Sequence, residues 1–291
     1  MTATLEQMIA DWLESVEPAS TLQRVWKLRG QPNDWTLENV PNAVVDEFNR
    51  LGALHSGGLP VQAPVFVDET EEHFGRPGLV IGYIDGEPDL NPDDPNKYVE
   101  QFAHLLAQIH HFDPKTSGLA LAERPVRQFA RFMKDDMPQA NPVFQVDRIW
   151  AALASNCIRR DKEQAVLLHG DFWPGNTLWR NGSLLAVIDW EQPAAGDPLL
   201  DLSISCLGLW WVLGDQGMHD FTERYLVLHP IDTSLLPLHD LCTALRPVTN
   251  LAGWAAASPP LGRPDISLES MRREHSRFVS QAFDQLDKIN L

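Results

Sequence analysis

The feature that most constrains this 291-residue chain is the run HGDFWPGN at positions 169–176. A short apolar stretch follows it and leads to the letters IDW at positions 188–190. Phosphoryl transfer from ATP needs an aspartate to orient the acceptor hydroxyl, and Asn and Asp side chains to hold Mg²⁺ against the phosphates. Asp171, Asn176 and Asp189 supply these groups from one strand, loop and hairpin. The spacing therefore favours a kinase-type phosphotransferase.

Each of the three side chains has a distinct predicted role. Asp171 would orient the hydroxyl and accept its proton late in the reaction. Asn176 and Asp189 offer an amide oxygen and a carboxylate, and Mg²⁺ prefers few protein ligands beside water and phosphate oxygens. Any one of these residues alone could be a loop-stabilising polar group, but the combination favours catalysis. We interpret His169 as a residue that organises the loop backbone.

Charge and cysteine content exclude several classes of protein. The chain has 40 acidic and 23 basic residues, a formal net charge of −17. Such a surface repels nucleic acid and anionic membranes, and it either aids solubility or attracts a cationic substrate. The 3 cysteines contain no C-x-x-C pair, which argues against a disulfide framework or a zinc site. We expect a cytoplasmic protein with no leader or membrane span, and the sequence leaves its oligomeric state open.

Hydrophobic periodicity predicts a mixed α and β chain. A proline-rich break after Asp85 marks a domain boundary, with a small sheet-containing domain at 1–85 and a mainly helical one at 86–291. The pair Asn181-Gly182 predicts a tight hairpin. The predicted strands are residues 21–29, 61–67, 78–84, 166–168, 177–180 and 184–188. The predicted helices are residues 5–16, 42–55, 97–111, 126–133, 144–158, 201–213, 219–228, 234–245 and 268–290.

The stretch at 168–202, with HGDFWPGNTLW, IDW and GDPLLDL, resembles the aminoglycoside phosphotransferase and choline kinase superfamily. The resemblance implies an α+β, protein-kinase-like fold with two lobes. It also implies that Asp171 is the catalytic base and that Asn176 and Asp189 bind Mg²⁺. Gly170 stands where protein kinases usually carry Arg, which favours the small-molecule branch of the superfamily.

Other residues resemble the family less specifically. Asp197 and Asp201 match positions that brace the larger lobe. The letters WKLR at 26–29 resemble a strand whose basic residue contacts the ATP phosphates. This alignment gives that role to Arg29, with Lys27 as the rival, and Glu47 would pair with whichever of the two holds the phosphates.

The stretch VIGYIDG at 80–86 resembles the family's hinge between lobes. Backbone groups of Gly82, Tyr83 and Ile84 would then meet adenine. One departure concerns the start of the chain. Only about twenty residues precede the predicted basic strand, and they contain no glycine. We therefore expect the phosphate-covering loop to be shortened.

Two functions follow from this pattern. The first is an ATP- and Mg²⁺-dependent kinase that phosphorylates a hydroxyl of a small molecule. An amine-bearing acceptor, such as an aminoglycoside or amino alcohol, is one option, because the chain is acidic and Trp210, Trp211 and Trp254 could offer cation–π contacts. These tryptophans could equally be core residues. The second function is a catalytically inactive pseudokinase that binds a nucleotide or a partner.

Overall fold

The computed structural model describes residues 43–69, 78–114, 119, 142–156, 165–191 and 193–288. The described residues up to Asp85 form one compact unit. Those from Gly86 onward, Leu119 excepted, form a second and larger unit. The predicted helix at 5–16, strand at 21–29 and helix at 126–133 lie outside the described residues.

The first unit contains one helix and one hairpin. Helix α1 is Ala43–Ser56, and it is followed by strands β1 (Pro64–Asp68) and β2 (Gly78–Ile81). The two strands pair antiparallel, with Phe66 opposite Val80. Both strands are shorter than predicted.

The second unit is mainly helical and carries two short antiparallel strand pairs. Its strands are β3 (Val166–Leu168), β4 (Thr177–Arg180), β5 (Ser183–Val187) and β6 (Ala194–Gly196). Strands β3 and β6 pair, and so do β4 and β5. Its helices are α2 (Pro95–His111), α3 (Val146–Asn156), α4 (Leu199–Leu228), α5 (Leu236–Thr243), α6 (Leu251–Ala257) and α7 (Leu268–Leu286). Short 3₁₀ helices are Pro142–Phe144, Pro174–Asn176, Arg246–Thr249 and Pro259–Leu261.

Local chemistry sets several element ends. Helix α2 begins earlier than predicted because Asp94 caps it, accepting bonds from the backbone amides of Asn96 and Lys97. The β4–β5 turn has positive φ at Asn181 (52°) and Gly182 (68°), as a type I′ hairpin requires. The helices predicted at 201–213 and 219–228 correspond to the two parts of α4, which meet at a kink where Gly214 has a non-helical φ of 77°.

An aromatic cluster links helix α2 to the segment that follows β3. Phe102 stacks on Phe172 with ring centroids 4.5 Å apart, and the ring of Phe221 of α4 lies 5.4 Å from that of Phe102. Tyr98 stacks on Trp179 of β4 at 4.1 Å. All of these side chains are buried. Burying rings of this size fixes the HGD segment on the helical core, because each contributes on the order of 2 kcal/mol of hydrophobic stabilisation.

None of the helices in the described residues is long and apolar enough to cross a lipid bilayer.

Helix α5 carries a buried acid with an incomplete set of partners. Asp240 is 3% exposed, and its Oδ1 atom has no hydrogen-bond partner among the described residues. Burial raises the pKa of this carboxyl well above its usual value. The folded chain therefore holds this proton more tightly than the unfolded chain does. It follows that the stability of the fold decreases as the pH rises from the usual aspartate pKa towards the raised one.

We expect Asp240→Asn to remove this pH dependence. Relative to the wild type, the variant should gain stability as the pH rises from about 5 to about 7, by at most about 1.4 kcal/mol for each pH unit. Chemical denaturation at both pH values measures the gain. Stability curves that stay parallel between the two proteins would contradict the account.

Candidate active site

The site is built around the loop that leaves strand β3. Phe172 is fully buried in the core, while Asp171 beside it keeps a side chain that is 32% exposed. The loop ends in the 3₁₀ turn Pro174–Asn176, which leads directly into β4. A rigid backbone thus presents the predicted catalytic carboxylate at a partly open position.

Asp171 and Asn176 contact each other directly. The Nδ2 atom of Asn176 donates to Oδ2 of Asp171 at 3.1 Å and to the Asp171 carbonyl oxygen at 2.9 Å. Asn176 is 8% exposed, so its orientation is fixed by these bonds. Because the amide nitrogen faces Asp171, the Oδ1 atom of Asn176 is the one that a cation could use.

Asp189 lies on the neighbouring turn, after β5. The amide of Ile188 donates to the carbonyl oxygen of Asn176 at 2.9 Å, which ties the two turns together. Asp189 is exposed and has a φ of 67°, a left-handed conformation that is uncommon outside glycine. Such conformations cost free energy and concentrate at functional sites.

His169 organises the backbone of both turns. Its Nδ1 atom accepts a bond from the Asp171 amide at 3.2 Å, so its Nε2 atom carries the proton and donates to the Ile188 carbonyl at 3.0 Å. Burial lowers the pKa of this imidazole below its usual value, which keeps the ring neutral. The ring also lies 4.5 Å from the Trp190 ring.

One face of helix α4 supports the HGD loop. Asp201, Ser205 and Gly208 lie at positions i, i+4 and i+7, and therefore share that face. The Asp201 carboxylate accepts bonds from the His169 amide at 2.7 Å and from the Gly170 amide at 2.9 Å. Ser205 donates to the Phe172 carbonyl at 2.9 Å.

Gly208 allows close approach of this helix to the loop. A Cβ atom there would lie 3.0 Å from Cδ of Pro174 and 3.1 Å from Cβ of Trp173. Any larger residue would thus push the loop away from the helix.

The Asp201 carboxylate is fully buried and ionised. Burial alone would raise its pKa, but hydrogen bonds from His110 and from the Gly170 amide, together with electrostatic interactions with the His110 and His169 rings, lower it below the usual value. The Nε2 atom of His110 lies 3.5 Å from Oδ2, and its Nδ1 atom bonds the Tyr225 hydroxyl at 2.6 Å. Asp197 lies at the N-terminus of the same helix, where its carboxylate accepts the Leu199 amide at 2.9 Å.

Arg246 is a site residue that the sequence reasoning missed. Its Nη2 atom lies 2.5 Å from Oδ1 of Asp171, and its Nη1 atom donates to the Gly170 carbonyl at 3.4 Å. Local sequence carries no signal for this contact, since the two residues are 75 positions apart.

Only some of the residues predicted to contact the nucleotide are among the described residues. Glu47 lies in helix α1 and is half-buried. Gly82 donates from its amide to the Ala63 carbonyl at 2.7 Å, Ile84 is half-buried, and Tyr83 is 47% exposed. Lys27 and Arg29 lie outside the described residues, as does any phosphate-covering loop at the start of the chain.

The predicted tryptophans are divided between core and surface. Trp210 is 4% exposed and packs edge-on against Phe278, as a core residue does. Trp211 and Trp254 are half-buried and meet edge-on at 5.9 Å.

The sequence matches a family model over residues 19–231, and that model is described as the phosphotransferase enzyme family. The match covers well over half of the chain. The chain belongs to the phosphotransferase enzyme family. This membership confirms the predicted superfamily and the predicted class of small-molecule kinase.

Similar solved structures have the same fold. The chain resembles the GDP and kanamycin complex of APH(2″)-IIIa, with 16% identity, 98% of both chains covered and a TM-score of 0.62. It also resembles the amicoumacin kinase hAmiN in complex with AMP-PNP and Ca²⁺, with 16% identity, 82% and 79% covered and a TM-score of 0.54. These likenesses confirm the two-lobed, protein-kinase-like α+β fold.

Curated relatives are longer proteins. Acyl-CoA dehydrogenase family member 11 of Gallus gallus is 27% identical over 261 residues, which is 81% of this chain and 32% of that protein. The chain spans about a third or less of the length of the first relatives that it matches.

We expect Asp201→Asn to weaken the fold around the HGD loop. The variant keeps the shape of the side chain but removes the charge that two backbone amides and His110 share, at a cost of about 2–4 kcal/mol. Urea denaturation followed by tryptophan fluorescence measures the loss. Asp215→Asn is the matched control, because Asp215 is 56% exposed and pairs with Arg277 at 3.6 Å. Equal losses in the two variants would contradict the role of Asp201.

Proposed function

We propose that this protein transfers the γ-phosphoryl group of ATP to a hydroxyl of a small molecule, in an Mg²⁺-dependent reaction. The observation that carries the proposal is the direct contact of Asp171 with Asn176. Both residues lie on a loop whose backbone is hydrogen-bonded to the Asp201 carboxylate. The family match supports the same chemistry.

Asp171 is the proposed catalytic base. The acceptor oxygen would attack phosphorus, the bond from the γ-phosphorus to the ADP oxygen would break, and the hydroxyl proton would pass to the Asp171 carboxylate late in the reaction. The Asn176 amide holds this carboxylate in one orientation. His169 is neutral and bonded on both ring nitrogens, so it acts on the loop and not on the substrate.

Asn176 and Asp189 fit the ligand chemistry of Mg²⁺. The Oδ1 atom of Asn176 faces away from Asp171, and Asp189 presents an exposed carboxylate one residue beyond the Ile188–Asn176 bond. The described residues contain no cluster of three or more His, Cys, Asp or Glu that could hold a metal. A two-ligand site completed by water and phosphate oxygens is what Mg²⁺ ordinarily uses. When bound there, the ion would neutralise charge on the phosphates.

The proposed phosphoryl donor is a nucleotide. The similar structures hold GDP in one case and AMP-PNP with Ca²⁺ in the other, which supports a nucleoside triphosphate donor here. Arg29 or Lys27, paired with Glu47, remains the proposed phosphate contact. The backbone of Gly82, Tyr83 and Ile84 remains the proposed adenine contact, and ATP is the donor that the sequence resemblance implies.

Two acceptor classes have a specific observation in their favour. An amine-bearing alcohol is supported by the net charge of −17 and by the kanamycin in one similar structure. A hydroxyl on an acyl-CoA is supported by the relatives, which are named after acyl-CoA dehydrogenase and match 81% of this chain in one case. Nucleic acid and membrane surfaces remain unexpected partners for so acidic a chain, and cytoplasmic localisation remains a prediction.

We expect Asp171→Asn to lower turnover by about 10²–10⁴-fold, because the amide cannot accept the hydroxyl proton. ADP release is followed with Mg-ATP and a panel of aminoglycosides, choline-like alcohols, sugars and hydroxyacyl-CoA compounds. Nucleotide affinity, measured by titration calorimetry, should stay unchanged in the variant. ADP release that persists in the variant would contradict the role of Asp171. Nucleotide binding without turnover on any acceptor would instead identify a pseudokinase.

We expect Asp189→Asn to separate nucleotide binding from Mg²⁺. Asparagine tolerates the left-handed backbone at this position, so the fold should be retained. Mg²⁺ should raise the ATP affinity of the wild type, and this increase should be smaller by about tenfold or more in the variant. Calorimetric titration of ATP with Mg²⁺ and with EDTA compares the two proteins. Equal Mg²⁺ dependence in both would exclude Asp189 as a ligand.

A further inference from the structure

The contact between Arg246 and Asp171 places a fixed cation at the acceptor side of the proposed site. The Arg246 and Asp171 side chains are 25% and 32% exposed, so the pair is open to solvent. The Oδ1 atom of Asp171 therefore accepts a hydrogen bond from the Arg246 guanidinium, and its Oδ2 atom accepts one from the Asn176 amide. The base is not an isolated negative charge.

Arg246 is presented by a rigid part of the fold. The residues just before it are fixed by buried bonds, from the Thr243 hydroxyl to Ser203 at 2.7 Å and from His275 Nε2 to the Ala244 carbonyl at 2.8 Å. A 3₁₀ helix then runs from Arg246 to Thr249. This position is therefore held by two neighbouring helices, as a specificity residue needs to be.

The guanidinium retains donors for a ligand. Arginine has five N–H groups, and among the described residues Arg246 donates to Asp171 and Gly170 only. Arg246 lies beyond residues 19–231, where the family model matches. The match to the family model therefore does not include the residue at this position.

We propose that Arg246 selects an acceptor that carries a carboxylate or phosphate near the hydroxyl to be phosphorylated. This inference rests on the proposed function and names its substrate class. A planar fork of donors suits an anionic oxygen pair, and Asp171 beside it receives the hydroxyl. A cationic acceptor would meet the guanidinium at short range. The net charge of −17 acts on the approach of a cation from solution, whereas Arg246 acts at contact distance, where salt screens least.

The test uses three alcohols of equal length that differ in charge. They are 3-hydroxypropanoate, 1,3-propanediol and 3-amino-1-propanol, titrated calorimetrically into the full chain with Mg-AMP-PNP. We expect the wild type to bind the carboxylate about tenfold or more tightly than the amine. Arg246→Gln should abolish this preference and Arg246→Lys should keep its direction. Arg224→Gln is the control, because Arg224 contacts Asn96 and Glu100 on helix α2.

Each other outcome decides against the inference. Tighter binding of the amine by the wild type, binding of none of the three alcohols, or a carboxylate preference that survives in Arg246→Gln would overturn it. A parallel measurement of ADP release with Mg-ATP keeps the proposed function separate. Turnover of the amine but not of the carboxylate would support the kinase and reject the anionic acceptor. A carboxylate preference in binding without ADP release would support the role of Arg246 and count against phosphoryl transfer.

Discussion

The geometry of the site depends on the buried carboxylate of Asp201. Two consecutive backbone amides of the HGD loop donate to it, and the Nε2 atom of His110 lies 3.5 Å from its Oδ2 atom. An ionised group in the core is stable only when it is paired in this way, because leaving water is costly for a charge. Helix α4, through Asp201, thus sets the position of the loop that carries Asp171.

Further contacts fix the HGD loop around Asp201. Helix α4 holds the loop through Asp201 and Ser205, and Gly208 lets the loop lie close to the helix. The aromatic stack of Phe102 on Phe172 fixes the other side. His169 then joins the HGD loop to the turn that carries Asp189, so the proposed base and the proposed metal ligands belong to one bonded unit.

Much of this unit could be predicted from sequence because its signals are local. The motif residues lie within 21 positions of one another, and Asn181-Gly182 has the backbone that its type I′ hairpin requires. Arg246 could not be predicted, since its role arises only where a distant 3₁₀ helix meets the loop. Strand β6, Ala194–Gly196, was also missed, because two alanines and a glycine carry no strand pattern and pairing with β3 alone creates it.

The central claim is that Asp171, Asn176 and Asp189 form one phosphotransfer site. A crystal structure of the protein with Mn²⁺ and AMP-PNP, using the anomalous signal of manganese, tests it most directly. We predict a metal peak about 2.0–2.3 Å from Oδ1 of Asn176 and from the Asp189 carboxylate, with the γ-phosphate directed at Asp171. A nucleotide bound with its metal away from both residues would contradict the account.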